Sequence, residues 1–193
     1  MRTDHHAASG ASVQLLHPGY VRDDGRVGGT VVLVLDGEAR IVVDPGMVAS
    51  RSLILDPLAA LDVAAADVTH VFLSHHHPDH TLNIALFPNA EVVDFWARYR
   101  DDLWLDHPGD GYQLAPHSTL WLTPGHSEED ATLVVRAADA VYAMTHLWWF
   151  SDRTPEVDPY APDQALLERS RARVLAVADI VIPGHGAPFR VAA

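Results

Sequence analysis

The sequence predicts one α/β domain in which two sheets are covered by helices, rather than a doubly wound parallel sheet. Three observations predict it. The chain has 193 residues, 48% of them hydrophobic, which suffices for a single domain with a real core. Short apolar runs of strand character outnumber helical stretches about three to one. The order is strands first, then strands and helices mixed, with a late helix before a final strand. No internal repeat, low-complexity tract or linker divides the chain. Residues 1–11 are expected to be a flexible tail ahead of a domain over 12–193, and His5-His6 belongs to that tail.

The elements follow in order. Val13–Leu16, Thr30–Leu35 and Ala39–Val43 have strand character, and Asp36-Gly37 between the last two is a hairpin signal. Asp56-Pro57 is expected to open a short Leu/Ala helix, with Asp as N-cap and Pro at the first helical position. Val68–Leu73 and Glu91–Asp94 are strands. A helix is expected over Phe95–Trp104, carrying Phe95, Trp96 and Tyr99 into the core. Thr119–Leu122, Thr132–Val135 and Ala140–Met144 are further strands. A helix over Pro162–Ala178 places Leu167, Ser170, Val174 and Val177 on one side. Ile180–Ile182 is the last strand, ended by Pro183-Gly184.

Charge and composition exclude several functions. The formal net charge is −13, from 26 acids against 13 bases, and every base is Arg. A phosphate-backbone binder needs a basic footprint, so no nucleic-acid partner is expected, and docking on anionic membranes is disfavoured likewise. The absence of Lys removes Schiff-base chemistry, and the absence of Cys removes disulfides, thiolate metal sites and thiol nucleophiles. The polar N-terminus has no apolar stretch behind it, so a cytoplasmic protein is expected.

Histidine is the outlier, with 13 copies. The run His75-His76-His77-Pro78-Asp79-His80 follows directly on the strand Val68–Leu73. In extended geometry His75 and His77 share a side, while His76 points away and has a supporting role. Four N/O ligands within six residues, without sulfur, suit zinc, iron or manganese. Two further strands end in one grammar, Pro124-Gly125-His126 and Pro183-Gly184-His185.

The set His75-x-His77-x-Asp79-His80, then His126, then His185, resembles the metallo-β-lactamase fold superfamily. Asp44-Pro45-Gly46 is similar to that family's early Asp-x-Gly element. The resemblance spans residues 12–188 and implies a four-layer αββα sandwich with metal at one edge between the sheets. It implies that His75, His77 and His126 hold one metal, and that Asp79, His80 and His185 help hold a second. The implied function is a metal-dependent hydrolase, in which a metal-bound hydroxide attacks a small-molecule ester, lactone, thioester or amide. The implied cofactor is one or two Zn2+, with Fe or Mn as alternatives. A mononuclear non-haem iron enzyme that activates oxygen, and a non-catalytic metal-binding domain, are the other readings. The oligomeric state is left open.

One position departs from the family pattern. His146 stands where the family usually has an Asp that bridges two metals. A neutral imidazole carries no negative charge, so one ion is expected to bind well and a second weakly, or two to lie farther apart. Asp79 and His146 are the candidate catalytic residues, and both are also candidate ligands. Asp44 is expected either to fix a ligand His through its ring N–H or to be a turn residue. Trp148, Trp149 and Arg153 are the candidate substrate contacts. His107 and His117, flanking the loop Asp106–Pro116, are read mainly as lying outside the site.

Overall fold

A computed structural model describes residues 10–151 and 154–192. These residues form a seven-stranded sheet in the order β1 (Ser12–His17), β4 (Val31–Asp36), β5 (Ala39–Val43), β6 (His70–Phe72), β7 (Glu91–Val93), β8 (Ala97–Arg100) and β9 (Leu103–Asp106). A six-stranded sheet runs β10 (Tyr112–Ala115), β11 (Ser118–Leu122), β12 (Ala131–Arg136), β13 (Val141–Met144), β14 (Ile180–Ile182) and β15 (Phe189–Arg190). A two-stranded ribbon joins β2 (Tyr20–Val21) to β3 (Val27–Gly28). The helices are α1 (Ser52–Ala60), α2 (Pro78–Thr81) and α3 (Gln164–Leu175). No helix among them is long and apolar enough to cross a membrane.

The period of two along the strands makes this a four-layer αββα sandwich. In β4, Val32 and Val34 face the core between the sheets, whereas Val31 and Leu33 face the layer that holds α1. Ile41 and Val43 against Val42 repeat that division in β5. On the second sheet Met144 and Ile182 point inward, while Ala143 and Val181 pack under Leu167 and Val174 of α3. Strands buried on both faces therefore read as continuous apolar runs, which is why they were visible without alternation.

Topology decides where chemistry is placed. β5, β6 and β7 are mutually parallel. β11 and β13 are both antiparallel to β12, and β14 is parallel to β13, so these three also run one way. The loops after β5, β6, β11, β13 and β14 carry Asp44, His75, His126, His146 and His185. Backbone bonds between loops lock that edge: Ala131 N donates to Ser74 O (2.7 Å) and Thr30 N to Gly184 O (2.8 Å).

Two expected elements are corrected. Phe95–Trp104 is no helix but the start of the β8–β9 hairpin, with Arg100 paired to Leu103 across the two-residue turn Asp101-Asp102. Asp101 takes the left-handed conformation this turn needs (φ 52°). Asp94 fixes the entry: its Oδ1 accepts from Trp96 N, Ala97 N and the Tyr99 hydroxyl. Likewise Asp56 is not an N-cap, because α1 starts at Ser52 and holds Pro57 inside it. Ile54 and Leu58, four apart and both buried, carry the helix across the proline.

The apolar runs of the sequence do not mark β2, β3, β8, β9, β10 or β15. Asp36-Gly37 does form the β4–β5 turn, with Asp36 paired to Ala39. At the other end of the sequence, Ala11 is buried and bridges to Ala137, while His5-His6 lies outside the described residues.

Candidate metal centre

Six histidines and one aspartate converge at the loop edge. His75, His80, His126, His146 and His185 are buried, and His77 and Asp79 are partly exposed. The ring nitrogens and carboxylate oxygen of Asp79, His80, His146 and His185 lie within 4.8 Å of one another, as do those of His75, His126 and His146. His77 stands at the rim, its Nδ1 3.3 Å from His126 Nε2, and is not part of the second close group.

Four of these rings are aimed by acceptors behind them. His80 Nδ1 donates to Asp44 Oδ2 (3.0 Å) and His126 Nδ1 to Asp158 Oδ2 (2.8 Å). His185 Nδ1 donates to the Gly28 carbonyl (2.9 Å). Ser74 Oγ gives its proton to Asp44 Oδ2 (2.6 Å), so it accepts from His75 Nδ1 (3.1 Å). Each Nε2 lone pair is thereby left to the centre, the arrangement by which proteins orient metal ligands. The Nε2 atom of His75 and the Nδ1 of His146 are buried with no hydrogen-bond partner among the described residues. Buried polar nitrogens without partners are costly, and a divalent cation at this donor set would satisfy them. The residues therefore fit a metal of borderline softness.

Electrostatics agree with that fit. Burial, and then the neighbouring imidazoles, hold His75 and His146 well below the ordinary histidine pKa. Burial and His80 push His185 down to about 4. Burial works against charge on His80 too, but Asp44 and Asp79 outweigh it and raise His80 to about 9. Burial of Asp79 is likewise outweighed, by the hydrogen bond from His80 and the charges of His80 and His185, so its carboxyl falls to about 2. Without metal the cluster thus keeps its positive charge on His80, between two carboxylates.

The local sequence explains how the candidate ligands reach one point. Asp44 is held at φ 49°, and its Oδ1 also accepts from Ser74 N (2.7 Å), so one side chain anchors both His75 and His80. It is a turn residue and a histidine-fixing residue at once. In the Pro-Gly-His grammar both glycines allow close approach. A Cβ at Gly125 would sit 2.7 Å from Leu147 and Leu167, and one at Gly184 2.1 Å from His146 Cδ2. Helix α3 ties down the same loops: Ser170 Oγ donates to Pro124 O (2.7 Å) and the buried Arg171 Nε to Leu147 O (2.8 Å).

The cluster opens into a cleft of about 420 Å³, with Val21, Val27, Met47, Trp149 and Tyr160 on its walls. Trp149 donates to Asp158 Oδ2 (2.9 Å) and stacks on Tyr160. Trp148, its neighbour in sequence, is corrected as a substrate contact. It turns away from the cleft and packs against Phe189, with Arg171 5.7 Å over its ring. Trp148→Ala is expected to destabilise the fold by about 1–3 kcal/mol, less than a fully buried aromatic. Trp149→Ala is expected to raise KM severalfold with little change in melting temperature; thermal scans and steady-state kinetics of both variants check the division.

Other assignments fall outside the cleft. His76 bonds Asp94 (2.9 Å) and stacks on Trp96, His107 bonds the Asp94 carbonyl (3.0 Å), and His117 pairs with Asp36 (2.8 Å). Arg153 lies outside the described residues. Asp158, the carboxylate behind His126, is not legible in the sequence. No spacing marks it, since it lies 32 residues from the histidine it serves and is one acid among 26. Asp158→Asn is expected to weaken metal binding 10- to 100-fold, roughly the usual effect of losing such a support, as read by competition with a chelator.

Comparison with known proteins agrees with this geometry. Residues 24–186 match the family described as the metallo-beta-lactamase superfamily. Metallo-beta-lactamase domain-containing protein 1 of Xenopus laevis is 35% identical over 202 residues, covering 99% of this chain and 86% of that protein. Its Homo sapiens counterpart is 38% identical over 184 residues, covering 88% and 67%. A crystal structure of a putative metallo-beta-lactamase from Thermotoga maritima superposes with a TM-score of 0.71 at 19% identity, covering 94% of this chain and 99% of that one. An N-acyl homoserine lactone hydrolase, with its product at the catalytic metal centre, superposes with a TM-score of 0.65 at 17% identity, covering 91% and 92%. With the αββα layers, the histidine edge and a family match over most of its length in agreement, the chain belongs to the metallo-β-lactamase superfamily.

Proposed function

We propose that the chain is a metal-dependent hydrolase of a small, uncharged carbonyl compound, an ester, lactone, thioester or amide, with zinc as its metal. The observation that carries the reading is the donor cluster opening on one side into an apolar-walled cleft. His75, His126 and His146, with His77 at the rim 3.3 Å from His126, would hold metal on one side, and Asp79, His80, His146 and His185 on the other. A bound divalent ion polarises a carbonyl oxygen and acidifies a water it holds.

The chain's own residues supply the rest. Asp79 Oδ2 lies 3.3 Å from His80 Nε2 and 3.5 Å from His185 Nε2, beside the cleft. With its pKa near 2, Asp79 accepts a hydrogen bond and orients a water, and is too weak a base to retain a proton at neutral pH. Trp149 and Tyr160 form a stacked wall for a flat or apolar group, facing Val21, Val27 and Met47. The net charge of −13 repels anions, which favours neutral substrates over phosphoesters and nucleic acid.

The test is a substrate screen with zinc-loaded protein. Turnover of neutral esters, lactones or thioesters, lost on chelation, is the expected result. Turnover confined to phosphodiesters or RNA, or micromolar nucleic-acid binding at physiological salt, would overturn the substrate class.

A further inference from the structure

His146 differs from every other buried histidine of the cluster. His75, His80, His126 and His185 each have an acceptor behind Nδ1, which fixes that nitrogen as a donor and leaves one lone pair for metal. His146 has none: its Nδ1 is buried without a partner among the described residues, and its Nε2 lies 3.2 Å from His185 Nε2. Its ring also neighbours four others of the cluster. Its centroid is 4.2 Å from that of His126, 4.5 Å from His75, 4.8 Å from His80 and 5.1 Å from His185. It belongs to both close donor groups. The ring is wedged against Gly184, where a Cβ would lie 2.1 Å from Cδ2, so its place is set by packing.

We propose that His146 is a shared ligand that spaces two metal ions, giving Nε2 to the ion held with Asp79, His80 and His185, and Nδ1 to the ion held with His75 and His126. The missing acceptor behind Nδ1 is then a second donor position. Using both nitrogens leaves no place for the ring proton, which passes to solvent as the second ion binds. The resulting imidazolate restores the single negative charge that a bridging carboxylate would supply. Two metal–nitrogen bonds of about 2.0–2.1 Å across the ring set the ions roughly 6 Å apart. That exceeds the ~3.5–4 Å common in two-metal hydrolytic sites. The proposal rests on the cluster binding metal and is independent of the substrate.

The test is anomalous diffraction at the zinc edge from crystals of the full chain stripped by chelator and reloaded with excess zinc. Two peaks roughly 6 Å apart on either side of the His146 ring are expected. Two peaks within about 4 Å, or a single peak, would overturn the shared ligand while leaving the hydrolase reading intact. Absence of zinc would overturn both. In solution, the copper(II)-loaded protein should lose electron paramagnetic intensity as the second equivalent binds, because an imidazolate couples the two spins. Two independent copper signals would contradict the bridge. In His146→Asp, the paired ions should draw in to within about 4 Å. An unchanged separation would show that the histidine does not set it. If that variant does not fold, the wild-type diffraction and copper spectra decide.

Discussion

Asp44→Ala is expected to cost about 3–5 kcal/mol of stability and to abolish tight metal binding. The carboxylate is buried and accepts from Ser74 N, from Ser74 Oγ and from His80 Nδ1. Its removal leaves all three donors without an acceptor inside the protein and frees His75 and His80 from their orientation. Alanine would also have to hold the left-handed backbone at φ 49°, which aspartate tolerates better. Asp44→Asn retains an acceptor for Ser74 N and should fall between wild type and Asp44→Ala. Denaturant unfolding of the metal-free proteins, followed by zinc titration of each, separates the loss of stability from the loss of affinity. Equal stability of all three would contradict the anchoring role.

Gly46→Ala is expected to be at least as damaging, on the order of 3 kcal/mol or more, with the metal site distorted as well. A Cβ there would stand 1.7 Å from the Asp79 carbonyl oxygen and 2.3 Å from His80 N. That same carbonyl accepts from Gly29 N (3.0 Å) and Met47 N (3.1 Å), so the obstacle is bonded backbone and cannot swing away as a side chain would. The Asp-x-Gly element therefore has two physical jobs. Its aspartate aims His80, and its glycine lets the backbone of Asp79 reach the strand end. A soluble Gly46→Ala protein with unchanged melting temperature and metal affinity would show that the α2 segment can shift without consequence.

The parts of this account legible in sequence are those encoded locally. His75, His77, Asp79 and His80 lie within six residues, and the strand–Pro-Gly–His grammar marks His126 and His185 because each glycine must admit a neighbour. The sandwich was legible because buried strands are written as unbroken apolar runs. The β8–β9 hairpin was not. Trp96, Tyr99 and Leu103 recur at helical spacing, while the turn is made by Asp101-Asp102 without the Gly or Asn that usually marks one. Asp158 and the tethers Ser170 and Arg171 were hidden for another reason. Their partners lie 24 to 46 residues away in sequence, and only the packing of α3 on the second sheet brings them together. The different fates of Trp148 and Trp149 also depend on tertiary context, since these adjacent residues in one loop face the α3 side and the cleft respectively.

The central claim is that this histidine edge is a metal centre that supports hydrolysis, and metal content decides it most directly. Elemental analysis of natively purified wild-type protein, paired with melting curves before and after chelation, should find transition metal bound at one or more equivalents. Removal should lower the melting temperature and zinc should restore it, because a ligand that binds only the folded state adds stability by mass action. Protein that carries no transition metal, and whose melting temperature is unmoved by chelator and by added zinc, manganese or iron, would contradict the account.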